Sequence, residues 1–143
     1  MTIQKKMTAI ALSLLVLGGT MVSTFAYTYV TGTKYQTVTH KDIPAWGDIH
    51  YDLNYGSKKT MTSQIGTFKK TKGDALLGNF AGLTTNSKNV VSDLEGIPLN
   101  RDVLISEFGC SKGRIYFSAV TSHALEPSNT CDVTLKFSAD DLV

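Results

Sequence analysis

Beyond residue 26, apolar and polar positions alternate with a period of two for most of the chain, and glycines interrupt the alternation at short intervals. The pattern is cleanest over residues 48–55. Successive strand Cβ atoms point to opposite sides, so Ile49, Tyr51, Leu53 and Tyr55 share one face while Asp48, His50, Asp52 and Asn54 share the other. Residues 27–30 and 34–39 read as strands around a Thr31-Gly32-Thr33 break. Residues 60–70 read as a further strand, joined to 48–55 as a hairpin through Gly56-Ser57-Lys58-Lys59. Residues 75–83 are apolar on both faces, which predicts a central strand. Its Gly78 and Gly82 predict bulges or a close backbone approach.

Residues 84–100 are the least strand-like. Ser92-Asp93-Leu94-Glu95 has capping-box spacing, but Gly96 and Pro98 limit any helix to one turn. Residues 103–109 and 114–121 follow as strands with a Cys110-Ser111-Lys112-Gly113 turn between them. Glu126-Pro127-Ser128-Asn129 is another turn, and residues 131–138 close the chain with Cys131, Val133, Leu135 and Phe137 on one face. Seven to nine short strands at this spacing predict an all-β fold, a single antiparallel β-sandwich or small barrel over residues 27–143.

Residues 1–26 read as a signal peptide. Lys5 and Lys6 precede an apolar run from Ile10 to Leu17, Gly18 and Gly19 weaken a continuing helix, and Thr24-Phe25-Ala26 offers small residues for cleavage before Tyr27. The competing reading is an uncleaved anchor, because no charge occurs between Met7 and Thr33. Either way the remainder is expected to be secreted or extracellular, with membrane contact only through that segment.

Removal of the signal changes the charge. The whole chain carries 14 basic and 12 acidic residues, and Lys5 and Lys6 supply the entire excess, so residues 27–143 are formally neutral. This argues against nucleic acid as partner, since displacing counterions from phosphates requires a basic face. Lys58, Lys59, Lys69, Lys70 and Lys72 nevertheless lie close together. They read either as a basic patch for an anionic surface or as lysines blunting strand edges.

Cys110 and Cys131 are the only cysteines. In an oxidising compartment they are expected to form a disulfide, closing about 21 residues for about 3 kcal/mol. The expected bond bears on topology. In an up-down-up meander the two positions would lie roughly 25 Å apart, whereas a disulfide needs Cα atoms within about 7 Å. A bonded pair therefore implies that the last strand crosses to the other sheet, and a meander implies free thiols.

Chemistry is weakly signposted. Asp48, His50 and Asp52 fall on one strand face and are the candidate metal or acid–base set, with His40 and Asp42 nearby in sequence. A solvated sheet face accounts for the same residues. No nucleophile elbow, His-Glu-x-x-His, Ca²⁺ loop or P-loop occurs, and no cofactor is implied. Trp46, Tyr51 and Tyr55 belong to an aromatic cluster early in the exported part, and Trp46 sits in a loop, where a binding aromatic or a core cover would sit.

The expectation is a secreted, non-enzymatic β-domain that binds a cell-surface, wall or protein partner, with antimicrobial action as one form. Trp46, Tyr51, Tyr55, Lys58, Lys59, Lys69 and Lys70 are its candidate contacts. The alternatives are a small hydrolase or metal-binding protein using Asp48, His50 and Asp52, and an inhibitor of a protease or toxin. The sequence leaves the oligomeric state open.

Overall fold

The computed structural model describes residues 26–143, so the signal-peptide reading of residues 1–26 lies outside the described residues except for Ala26. Among the described residues every regular element is a strand, and none forms a helix. The strands are β1 (Thr28–Thr31), β2 (Gln36–Pro44), β3 (His50–Lys58), β4 (Ile65–Gly73), β5 (Asn79–Thr84), β6 (Glu95–Gly96), β7 (Asp102–Ser106), β8 (Ile115–Ser122) and β9 (Thr130–Ser138). They form two sheets packed as a sandwich, one ordered β1-β3-β8-β5-β6 and the other β2-β9-β4-β7. Pairing is antiparallel except at one edge, where β1 runs parallel to β3 with Thr28 opposite Tyr55.

The core lies between the sheets. In β9 the alternation holds as its sequence implies: Cys131, Val133, Leu135 and Phe137 are buried and face the other sheet. Phe68 of β4 stacks on Phe137 with ring centroids 5.4 Å apart. Val38 and Ile43 of β2, Ile105 of β7, and Tyr116 and Val120 of β8 complete this layer with Leu83 of β5. Strand β8 is covered on both sides, because Tyr27 packs edge-on against Phe117 across its outer face at 5.3 Å. Gly82 in β5 marks a close backbone approach. A Cβ there would lie 2.5 Å from the Asp93 carbonyl oxygen and 2.6 Å from Ser92 Oγ, so the 84–100 connection can cross tightly over β5.

Three expectations are corrected. Gly56-Ser57-Lys58-Lys59 is no hairpin: β3 continues through Lys58, and β4 belongs to the opposite sheet. The turn at Cys110-Ser111-Lys112-Gly113 likewise carries the chain from β7 in one sheet to β8 in the other, with Gly113 at a φ of 90°. Finally, Cys110 and Cys131 form no disulfide; both are buried free thiols. The last strand does cross to the other sheet, but without the bond that was to enforce the crossing. Cys110 lies near the start of β8, where it takes the Gln64 side-chain oxygen as acceptor for its N–H. Cys131 lies at the far end of β8, 3.1 Å from Ser122 Oγ. The run of β8 between Tyr116 and Ser122 separates those levels by roughly 20 Å, far beyond disulfide reach.

Candidate functional site

The sandwich has two dissimilar ends. At one end three loops meet: residues 45–49 after β2, residues 74–78 after β4, and residues 123–129 after β8. Ala45 donates its backbone N–H to the Asn129 carbonyl at 3.2 Å, tying the first loop to the third. Glu126 ties the second loop to the third. Its carboxylate is almost fully buried and accepts the backbone N–H groups of Leu76 (2.9 Å) and Leu77 (2.8 Å). These hydrogen bonds hold the Glu126 carboxyl below its ordinary pKa, because each donor favours the charged form.

The loops so fixed present large apolar side chains to solvent: Trp46 (70% exposed), Leu76 (72%), Leu77 (48%) and Leu125 (69%). Trp46 adopts a φ of 71° and is followed by Gly47 at 86°. A left-handed conformation is costly for a bulky residue, and the loop turns at Trp46 with its indole exposed. The Trp46 side chain is therefore not tucked beneath its loop as a core cover. Leu76 and Leu77 correct the expected central strand over residues 75–83: β5 begins only at Asn79, so both leucines fall in the preceding loop and face solvent, while Leu125 carried no pattern that singled it out.

The remaining expected contacts are dispersed. Tyr55 is exposed on β3, and Tyr51 is half-buried with Lys88 Nζ 5.6 Å from its ring centre. Lys58 lies 6.0 Å from the Tyr29 ring centre, and Lys69 is half-buried on β4. Lys59 and Lys70 are buried, so the lysines do not make one basic surface. Lys70 Nζ donates to Asn79 Oδ1 at 3.1 Å, and burial lowers its pKa.

The Asp48, His50 and Asp52 set is likewise taken apart. His50 leaves the solvated polar face of β3, for its Nδ1 lies 2.9 Å from Nδ1 of the fully buried His40, while Asn54 on the same expected face stays exposed. His40 Nε2 contacts Ser118 Oγ of β8 at 2.8 Å. Asp52 spends one carboxylate oxygen on the backbone N–H groups of Asn54 (3.0 Å) and Tyr55 (3.1 Å), closing a bulge between Asp52 and Ser57. Asp48 is exposed, and its carbonyl accepts the Thr121 hydroxyl. Among the described residues no group of three or more His, Cys, Asp or Glu side chains is placed to hold a metal ion.

The other end of the sandwich holds a buried ionic centre. Lys59, just past β3, lies with its Nζ 2.7 Å from Glu107 Oε1 and 3.7 Å from Asp140 Oδ1, and all three side chains are fully buried. Glu107 was legible in principle, because the period of two puts it on the inward face with Ile105.

No family model, curated protein or solved structure matches the chain.

Proposed function

We propose that residues 27–143 act outside the cell as a non-enzymatic binding module that engages a protein at the cell surface through the three-loop tip. The observation that carries this reading is the exposure of Trp46, Leu76, Leu77 and Leu125 on loops held together by Glu126 and by the Ala45–Asn129 hydrogen bond. Scattered exposed apolar residues are ordinary, but four large ones on adjoining loops at one end mark an interaction surface. Prior fixing of the loops lowers the ordering cost of binding. An exposed tryptophan is the kind of side chain that anchors interfaces, and the neutral charge of the domain suits apolar rather than electrostatic capture. The N-terminal Lys5-Lys6 start and its apolar run support the extracellular setting.

The test compares the exported chain with a Trp46→Ser, Leu125→Ser double variant for pelleting with intact cells, protease-shaved cells and lipid vesicles. The reading expects retention on intact cells, loss after shaving, and loss in the double variant at unchanged thermal stability. Equal retention of both proteins, or retention on bare vesicles that matches intact cells, overturns it.

A further inference from the structure

We propose that Lys59 and Asp140 become joined by an amide bond between their side chains, with Glu107 as the proton acceptor for the reaction. Lys59 Nζ donates to the Ala139 carbonyl at 2.8 Å and touches both acids, Glu107 at 2.7 Å and Asp140 at 3.7 Å. An amine and a carboxyl group are thus held in contact in a space from which water is excluded. Fixed proximity of this kind replaces a bimolecular encounter with a far faster internal one.

The surroundings are poorly suited to a plain ion pair. Apart from its contact with Lys59, neither Glu107 oxygen accepts a hydrogen bond, although both are buried. A buried carboxylate left so bare is costly, and such exceptions to hydrogen-bond satisfaction call for a chemical reason. Burial pushes the Glu107 carboxyl above its ordinary pKa, and the nearby Asp140 adds to this while Lys59 opposes it. A carboxylate so raised is a stronger proton acceptor.

Asp140 is treated differently. Its Oδ1 accepts backbone N–H groups from Thr60 (3.1 Å) and Met61 (3.0 Å), and its Oδ2 accepts the Thr60 N–H (3.0 Å) and hydroxyl (2.5 Å). Donors fixed around a carboxyl carbon also hold the negative charge of a tetrahedral intermediate formed there. Two glycines keep the space open. A Cβ at Gly32 would sit 2.2 Å from Asp140 Oδ2, and one at Gly66 would sit 3.0 Å from Glu107 Oε2.

The step balances without any outside reagent. A proton passed from the Lys59 ammonium to Asp140 leaves a neutral amine and a neutral carboxylic acid. The Nζ lone pair attacks Cγ and forms the N–C bond. Glu107 takes the proton that Nζ sheds, the Cγ–OH bond breaks, and that proton leaves with the hydroxyl as water. Glu107 ends as it began. The product ties the end of β3, in one sheet, to the chain just past β9, in the other. It would be the covalent clamp between sheets that the two unpaired thiols do not supply.

The exported chain, kept folded and then denatured and digested with trypsin, decides the matter by mass. The expected product is one species in which residues 59–69 are joined to residues 137–143, lighter than the two peptides together by one water, with no cleavage after Lys59. Separate 60–69 and 137–143 peptides overturn the bond. In Glu107→Gln the linkage is expected to form at least about a hundredfold more slowly, the scale of a lost general base. Linkage at the unaltered rate in that variant overturns the role of Glu107. The wild-type digest stands whether or not the variant folds.

Discussion

Nδ1 of His40 on β2 and Nδ1 of His50 on β3 lie 2.9 Å apart, so the two sheets meet through an imidazole pair with one proton between them. His40 is fully buried, and its pKa is lowered to about 3, first by burial and then by His50. The unfolded chain holds the same ring near its ordinary value of about 6.5. Between those values the unfolded state binds more protons than the folded one, so stability rises with pH and is lost as pH falls from about 6.5 toward 3. The slope from one such group approaches 1.4 kcal/mol per pH unit, to order of magnitude. Denaturation midpoints measured from pH 7 to pH 4 should therefore fall steeply in the native protein and less steeply in His40→Gln. Parallel curves for the two proteins would remove His40 as the cause.

The thiols should be inert in the folded protein. Burial pushes Cys110 up to about 11, with the Glu107 charge adding to the effect. Only about one molecule in ten thousand then carries the Cys110 thiolate at pH 7, and the thiolate is the reactive form. Cys131 is buried against Ser122 and Asn79. A thiol-reactive dye is expected to label neither residue in buffer and both in denaturant, without reductant. A chain that stays unlabelled in denaturant until reduced would show a disulfide and contradict the geometry.

The legibility of the fold followed the quality of the local pattern. Strand β9 was readable because its inward face is wholly apolar, and β8 because Ile115, Tyr116, Phe117, Val120 and Thr121 are residues that favour strands. Sheet membership was not readable from neighbouring elements. Gly56-Ser57-Lys58-Lys59 has the composition of a hairpin, yet the chain crosses to the other sheet after it and buries Lys59 against two acids. The same pair of acids explains the misreading of the lysines. A lysine run reads as solvent-facing until its partners are known, and Glu107 and Asp140 lie far away in sequence. In β3 a single polar residue turned toward the core for a similar reason, since His50 finds the buried His40, and the bulge between Asp52 and Ser57 breaks the alternation before Tyr55, which is exposed. At the loop tip, Trp46 was legible as a candidate because a lone tryptophan beside Pro44 stands out. The leucines beside it depend on where Glu126 pulls the 74–78 loop, which no local pattern encodes.

That pull is measurable. Glu126 accepts the Leu76 and Leu77 N–H groups, and a carboxamide in its place keeps one acceptor and adds a donor facing a donor. In Glu126→Gln the amides of Leu76 and Leu77 should lose hydrogen-exchange protection, while those of Val133 and Leu135 in the β9 core keep theirs. Acid should loosen the native loop in the same way. The folded Glu126 carboxyl is depressed, so its contribution is present above the unfolded value and lost as pH falls through the folded one. Unaltered protection at Leu76 and Leu77 in the variant would mean that the loop holds its shape without Glu126.

Trp46 sets stability against binding at one position. Its φ of 71° is a region that costs a bulky L-residue roughly 1–2 kcal/mol, and glycine occupies it freely. The added freedom of glycine in the unfolded chain takes back about 0.4–1 kcal/mol. Trp46→Gly should therefore leave thermal stability unchanged or slightly raised, because the exposed indole contributes little to the core. The same substitution removes the largest side chain of the tip, and truncation of a central interface aromatic commonly costs about 2 kcal/mol or more, some thirtyfold in affinity. The two effects have opposite signs only if the indole is kept for a partner. Calorimetry alongside cell retention of Trp46→Gly reads both at once: retained stability with lost binding supports the tip as the docking surface. A marked loss of stability with retained binding would make Trp46 a cover for the loop and move the binding surface elsewhere.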